Sequence, residues 1–428
     1  MGGTRREVGP VRSGWGTAQW VRLRSLALLA VIGPGIISGF ADNDAGGITT
    51  YSLAGAQFGY QLLWVVLASQ LVLFVTQELG ARLGLATGQG LSGLIRDRFG
   101  VRWTAFAVAT MLIANLGDTV AEFAGIGAAL ALFGVPVPVS AAVSALAVIL
   151  LISRGSFSRV QLIFVLVGIA TSLAYVISAF LARPDWGQAA ISLVLPSGHL
   201  TGLYWLAVVG VVGTTITPWG QAFIQAYVVD KRLGPTDLPY SRVDVALGAT
   251  VTNAVAGFIV VACAATLWTH GIVINDAADA ARALGPLAGK GAEVLFALGL
   301  LAASLLGLGT VPLTSAYTAC EAFGWEAGVD WRWREAPAFY LLLAFFIGFA
   351  ALFVLIPGLP LIQVMFLSQV LDGLLLPIVL VFVMLLASDR RMLGKLASGR
   401  INLILGWACT VALAVMSLML VAVAITGL

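Results

Sequence analysis

Along most of this chain the apolar residues follow neither strand-like alternation nor narrow amphipathic stripes; they form long, nearly unbroken runs separated by short polar stretches. About 20 consecutive apolar residues carry a helix across the hydrocarbon layer of a bilayer. The runs therefore predict eleven membrane-spanning segments, at approximately 25–55, 61–85, 103–133, 137–153, 160–182, 201–229, 243–270, 291–321, 336–356, 360–388 and 401–426. Residues 1–24 carry Arg5, Arg6, Arg12, Arg22 and Arg24 among several glycines, and no A-x-A pattern follows the first apolar run. They read as a cytoplasmic tail, not a cleaved signal peptide.

The basic residues test this division, because a missed or invented span would scramble the alternation of loop charge. With the N-terminus inside, the inner stretches hold the five tail arginines, then Arg82, Arg96, Arg98 and Arg102, then Arg154 and Arg159. Lys231, Arg232 and Arg242, then Arg332 and Arg334, then Arg390, Arg391, Lys395 and Arg400 follow on the same side. Of the 23 Lys and Arg residues, only Arg183, Arg282 and Lys290 fall outside. The expectation is a prokaryotic plasma-membrane protein with a cytoplasmic N-terminus and an outer C-terminus.

Composition agrees: 60% of residues are hydrophobic, 10% are charged and the mean hydropathy is +1.00. The net charge of +3 is spread over many loops, which speaks for topology and against nucleic-acid binding. Cys263, Cys320 and Cys409 are far apart and form no metal-ligand spacing, so they read as small packing residues. There is no H-E-x-x-H, no G-x-x-x-x-G-K-[ST] and no nucleophile with a base nearby, which argues against an enzyme and against ATP use.

The chemistry lies where polar residues interrupt the apolar runs. GPGIISGFADNDAGG, residues 33–47, places Asp42 and Asp44 among glycines inside the first segment. An Asp at mid-membrane costs roughly 2.5–3.5 kcal/mol on an insertion scale, so two of them need a cation, water or neighbouring dipoles. The stretch predicts a broken helix at a binding site. In the sixth segment, GVVGTTITPWGQAF places Gly213, Pro218 and Gly220 mid-span. Pro218 removes a backbone donor, which frees carbonyls near 213–215 to act as ligands. If segments one to five (25–182) and six to ten (201–388) are two units, their odd number inverts the second relative to the first, with 401–426 an additional helix. Paired breaks at corresponding positions of two such units point to a transporter's central site.

These residues resemble a known family, the NRAMP transporters of divalent transition metals, and more closely the NRAMP-related magnesium transporters, over nearly the whole chain. Asp44-Ala-Gly-Gly47 resembles D-P-G-N, with Asp44 at the metal-binding aspartate and Gly47 in place of a ligating Asn. Thr217-Pro-Trp219 resembles M-P-H, with Thr217 in place of the methionine and Trp219 in place of a histidine. Thr119-Val-Ala-Glu122-Phe resembles D-L-A-E-F, keeping the glutamate and moving its carboxylate partner to Asp118. LSQVLDGLLLPIV in the tenth segment is similar to L-S-Q-V-x-L-S-x-x-L-P, and the inner MLG at 392–394 also matches. The resemblance implies an all-α fold of the amino acid-polyamine-cation transporter type, a five-plus-five inverted repeat with broken helices 1 and 6.

The departures from the family pattern have a physical reading. Softer or nitrogen donors select manganese or iron over magnesium, whereas magnesium prefers oxygen and gives up water reluctantly. The expected donors are Asp44, carbonyls around Gly47 and Thr214, and a hydroxyl or carbonyl of Thr217, with no Met, Cys or His. Gly47 and Thr217 also shorten two side chains, leaving room for a partly hydrated ion. The expected cargo is Mg2+, with Mn2+ also binding, and there is no resident cofactor. The family's proton path uses segment 3 carboxylates, segment 6 histidines and basic residues in segment 9. Here Ile224 takes the second histidine position, His199 and His270 lie at outer loops, and 338–356 contains no Lys or Arg. Proton coupling is expected to be weak or absent; the alternative is a proton-coupled Mn2+/Fe2+ importer.

Several polar residues keep two readings. Asn115, Asp118 and Glu122 share one helical face and either line an aqueous path or join helices by hydrogen bonds. Asp42 and Asn43 either bond metal-bound water or cap the broken helix. Gln369 and Asp372, one turn apart, either complete an outer shell or are structural. Glu78 and Arg82 are expected to form a local ion pair, and Trp325, Trp331 and Trp333 an interfacial belt.

Overall fold

The computed structural model describes residues 43–153, 157–198, 201–328 and 333–426, and there the chain is helix joined by short connections. Helix α1 (Ala45–Phe58) is the second half of the first predicted segment; the first half and Asp42 lie outside the described residues. Next come α2 (Leu63–Thr87), α3 (Leu91–Phe99), α4 (Val101–Ala131), α5 (Val137–Ser153), α6 (Phe157–Leu181) and α7 (Trp186–Val194). The sixth segment is two helices, α8 (Gly202–Thr215) and α9 (Pro218–Asp230), as its Pro218 predicts. The remaining main helices are α10 (Leu238–Thr266), α11 (Ala292–Phe323), α12 (Pro337–Phe353), α13 (Leu361–Ala387) and α14 (Arg400–Thr426).

Among the described residues, seven helical stretches are long and apolar enough to cross a membrane, and Val137–Leu151, Gly168–Leu181 and Pro337–Phe353 are shorter apolar helices. Each of these, and α1, overlaps one of the predicted segments; Ala277–Phe323 begins well before its predicted start, and the first half of the first segment lies outside the described residues. The apolar runs did not predict α3 and α7, because each is short and mixes polar with apolar positions. Leu91, Leu94 and Ile95 of α3 are buried while Arg96, Asp97 and Arg98 are exposed, the pattern of a surface-lying helix. Between α6 and α8, Asp185 caps α7 by accepting from the Gln188 amide at 2.9 Å.

In lipid, helices associate through close packing and not through hydrophobic exclusion, so small residues decide which can meet. α4 lies against α11 and α13, α8 against α13 and α1, and α10 against α1 and α2. The broken helices are thereby central: Gly202–Val229 is 94% buried over its most apolar window, against 28% for Arg400–Ile425 at the periphery. Gly213 makes one such contact possible. A Cβ there would overlap the Gln369 carbonyl oxygen and lie 2.5 Å from the Gly373 nitrogen, so α8 and α13 meet backbone to backbone.

At the predicted inner ends, the Glu78–Arg82 ion pair forms and is larger than expected. Arg242 of α10 joins Glu78 at 2.7 Å, and Arg82 donates to the Leu396 carbonyl at 2.6 Å. Trp325 and Trp333 are exposed, as an interfacial belt requires, and Trp331 lies outside the described residues. All three cysteines are free and buried.

Candidate metal site at the paired helix breaks

Asp44 is the N-cap of α1, in extended backbone, and its Oδ1 accepts from the Gly47 amide at 2.7 Å. Its own carbonyl accepts from Ile48 at 2.9 Å, so the helix is regular from the cap onward. The side chain is 1% exposed. An anionic cap suits the positive end of a helix dipole and directs a carboxylate into the break. Gly47 departs from expectation. Because the helix resumes at Ala45, Gly47 stands in its first turn; it supplies an N–H to Asp44, and helix geometry turns its carbonyl toward residue 51. Asn43, just before the cap, is buried and borders a cavity of about 20 Å³ with Ser172 and Tyr175, room for a water molecule.

The second break has the same cap geometry. Thr217 is the N-cap of α9, and its hydroxyl accepts from the Gly220 amide at 3.2 Å. Upstream, α8 ends at Thr215, with its last capping bond from the Ile216 amide to the Val212 carbonyl. Pro218 has no N–H to offer the Thr214 carbonyl, so the C-terminal end of α8 presents unpaired carbonyl oxygens. The Thr214 hydroxyl is fully buried and has no hydrogen-bond partner among the described residues. The two breaks are tied together by a bond that sequence reading missed: the Tyr51 hydroxyl lies 2.8 Å from Thr215 Oγ1. Thr215 donates to the Val211 carbonyl, so Tyr51 is the donor to Thr215.

Helices α4, α11 and α13 supply the walls. Glu122 is fully buried against Gly307, where a Cβ would overlap its carboxylate, and it adjoins Asp44 and the Ala45 amide. Gln369 packs on Gly46, and its amide donates to Asp118 Oδ1 at 3.0 Å and to Ser368 at 3.2 Å. Asn115 donates to Ser315 at 2.8 Å, which gives it the helix-joining role among the three residues of its face. Asp118 Oδ2 and both Glu122 oxygens have no hydrogen-bond donor among the described residues. Among those residues the only buried Lys or Arg is Arg82, held by Glu78. These buried acidic groups therefore have no buried basic counterpart among the described residues.

Two features refine the donor set. No group of three or more described His, Cys, Asp and Glu side chains converges closely enough to hold a metal by itself. One methionine does come near. Met365, a turn before Gln369 on α13, accepts from the Thr49 hydroxyl at 3.5 Å and lies beside Gly125, which itself touches Ala45. Its i, i+4 relation to Gln369 was the signal available in the sequence. Trp219 is fully buried and packs edge-on against Phe223 at 5.8 Å, so it fills space where the family pattern has histidine.

Comparison with known proteins agrees with this arrangement. Residues 35–423 match the family described as Natural resistance-associated macrophage protein-like, Nramp. The chain is 30% identical over 419 residues to the Divalent metal cation transporter MntH of Ralstonia nicotianae, covering 92% of this chain and 91% of that one. A protein of the same description from Bacillus subtilis is 26% identical over 410 residues, covering 92% of each. In fold, the chain is similar to the Eremococcus coleocola manganese transporter solved with an aromatic bis-isothiourea substituted compound. The TM-score is 0.77 at 21% identity, with 96% of this chain and 88% of that one covered. Mhp1, a nucleobase-cation-symport-1 family transporter, shares the fold more distantly, with a TM-score of 0.57 at 13% identity over 91% and 92% of the two chains. With the family match running through both helix breaks and nearly every span, this chain belongs to the Nramp family.

Proposed function

We propose that the chain carries divalent metal cations across the plasma membrane by alternating access, with Mg2+ as the main cargo and Mn2+ as a second one. The observation that carries this is the meeting of an anionic helix cap, Asp44, with a second broken helix whose unpaired carbonyls and Thr214 hydroxyl are oxygen donors. The descriptions of the MntH relatives support the divalent class. Oxygen donors at the breaks, the short side chains of Gly47 and Thr217, and the small cavity by Asn43 support a partly hydrated hard ion. Asp44, Thr214 and Thr217 are the proposed ligands; Gly47 acts through its amide, and Asn43, Asp118, Glu122 and Gln369 face the ion or its water. The units 25–182 and 201–388 move against each other around this site.

Uptake in this reading is not coupled to protons. A divalent ion gains about 4.6 kcal/mol per 100 mV of inside-negative potential, twice the value for one charge. Two observations favour a second reading, a proton-coupled Mn2+/Fe2+ importer: the Met365 sulphur near the site, and the buried carboxyls, which can hold protons. Flux into proteoliposomes with an internal pH dye, with Mg2+ and Mn2+ tested separately, separates the two. Mg2+ uptake without acidification is expected. Uptake of Mn2+ alone, tied to acidification, would overturn the main reading in favour of the second.

A further inference from the structure

We propose that Asp118 and Asp372, with the side-chain oxygen of Gln369, form a second divalent-cation subsite one helical turn from the Asp44–Glu122 pair, which the ion occupies on its way to or from Asp44. This rests on the central site proposed above.

Asp118 on α4 and Asp372 on α13 are fully buried, and their carboxyls adjoin. The two helices touch at this level: a Cβ on Gly117 would lie 3.3 Å from Leu371 and 3.6 Å from Ser368. The Gln369 amide nitrogen is bonded to Asp118 Oδ1, which sets the Gln369 side chain beside the pair. Gln369 Oε1, Asp118 Oδ2 and both Asp372 oxygens are buried with no hydrogen-bond partner among the described residues.

A structural hydrogen-bond network would bring donors to these acceptors. Here three of the four carboxylate oxygens have no donor among the described residues beyond what the two adjoining acids offer each other, and the only buried basic side chain among those residues, Arg82, is held by Glu78. Burying a carboxylate away from water is costly, and two adjoining carboxylates repel one another. A divalent cation reverses both effects, and carboxylate plus amide oxygens are its ordinary ligands.

Position makes the subsite part of the path. Asp118 precedes Glu122 by four residues, about 6 Å along α4. Asp44 lies close enough to interact electrostatically with both Asp118 and Asp372. The C-terminal end of α8 packs on Gln369 and Gly373, directing the negative end of its dipole at the same region. Asp372 also stands where the resembling motif L-S-Q-V-x-L-S has leucine, and Asp118 one residue before that family's carboxylate, so the pair is a joint departure of this chain.

The test is Mn2+ binding to the purified full-length protein, read by equilibrium binding and by anomalous diffraction. Two ions per chain are expected in the wild type, and one in Asp372→Asn, with the Asp44 ion kept and uptake at least tenfold slower. Asp44→Asn should keep the ion at Asp118 and Asp372. One ion in the wild type, retained with unchanged affinity in Asp372→Asn, overturns the subsite and leaves the central site standing; binding indifferent to Asp44→Asn overturns the central site instead. If Asp372→Asn fails to fold, the wild type decides alone: paramagnetic resonance shows spin coupling between two Mn2+ ions if the proposal holds, and a single-ion spectrum if it does not.

Discussion

The two helix breaks are built alike and equipped differently. Asp44 and Thr217 each cap a helix by accepting the amide of a glycine three residues on, Gly47 and Gly220, at 2.7 and 3.2 Å. One cap carries a full negative charge and the other a neutral hydroxyl. At Asp44 the cap of α1 supplies an anion; at the break in the sixth segment, proline leaves the preceding helix end open and supplies carbonyl dipoles. The same backbone device thus presents two kinds of oxygen donor, and charge, not cap geometry, distinguishes their roles.

The largest expected effect comes from separating charge from capping. Asn is as good a cap as Asp, so Asp44→Asn should leave the melting midpoint nearly unchanged while divalent uptake in proteoliposomes falls to background. Thr217→Ala should divide the effects differently, losing about 1 kcal/mol of stability in denaturant or thermal unfolding while lowering uptake only severalfold, as the loss of one neutral donor among several requires. Equal losses of uptake in both variants would contradict the division of roles.

A smaller effect should follow from the close approach that holds the second break in place. Gly213→Ala sets a methyl group against the backbone of Gln369 and Gly373, and a cost of about 2 kcal/mol or more is expected. Gly257, also within a helix, has open space around its Cβ position, so Gly257→Ala serves as the matched control and should lose nothing in thermal stability. Smallest is a change of preference. Thr217→Met places a thioether at the neutral cap, and the ratio of Mn2+ to Mg2+ uptake should rise about tenfold, ~1.4 kcal/mol in relative binding. An unchanged ratio would place residue 217 away from the ion.

Much of this was legible before any coordinates. The break at Pro218, the shared face of Asn115, Asp118 and Glu122, and the Glu78–Arg82 pair each follow from local spacing or from a residue that a membrane helix tolerates only for a reason. Short amphipathic α3 and α7 were not, because they lie outside the long apolar runs. The carbonyl expected from Gly47 was misplaced by a single turn: whether the helix restarts before or after that residue depends on the Asp44 cap, which the glycines alone leave open.

What the sequence determined by itself was the solvent and the punctuation. Continuous apolar runs demand helices in a bilayer, and the glycines, proline and carboxylates inside them mark where the helices break. Only the tertiary structure decided which oxygens face one another. Asp118 meets Gln369 and Asp372, Tyr51 meets Thr215, and Met365 meets Thr49 across separations in the chain that no periodicity encodes. Those meetings depend on where glycines let backbones approach, as at Gly46, Gly213 and Gly307, and that is a property of two surfaces together.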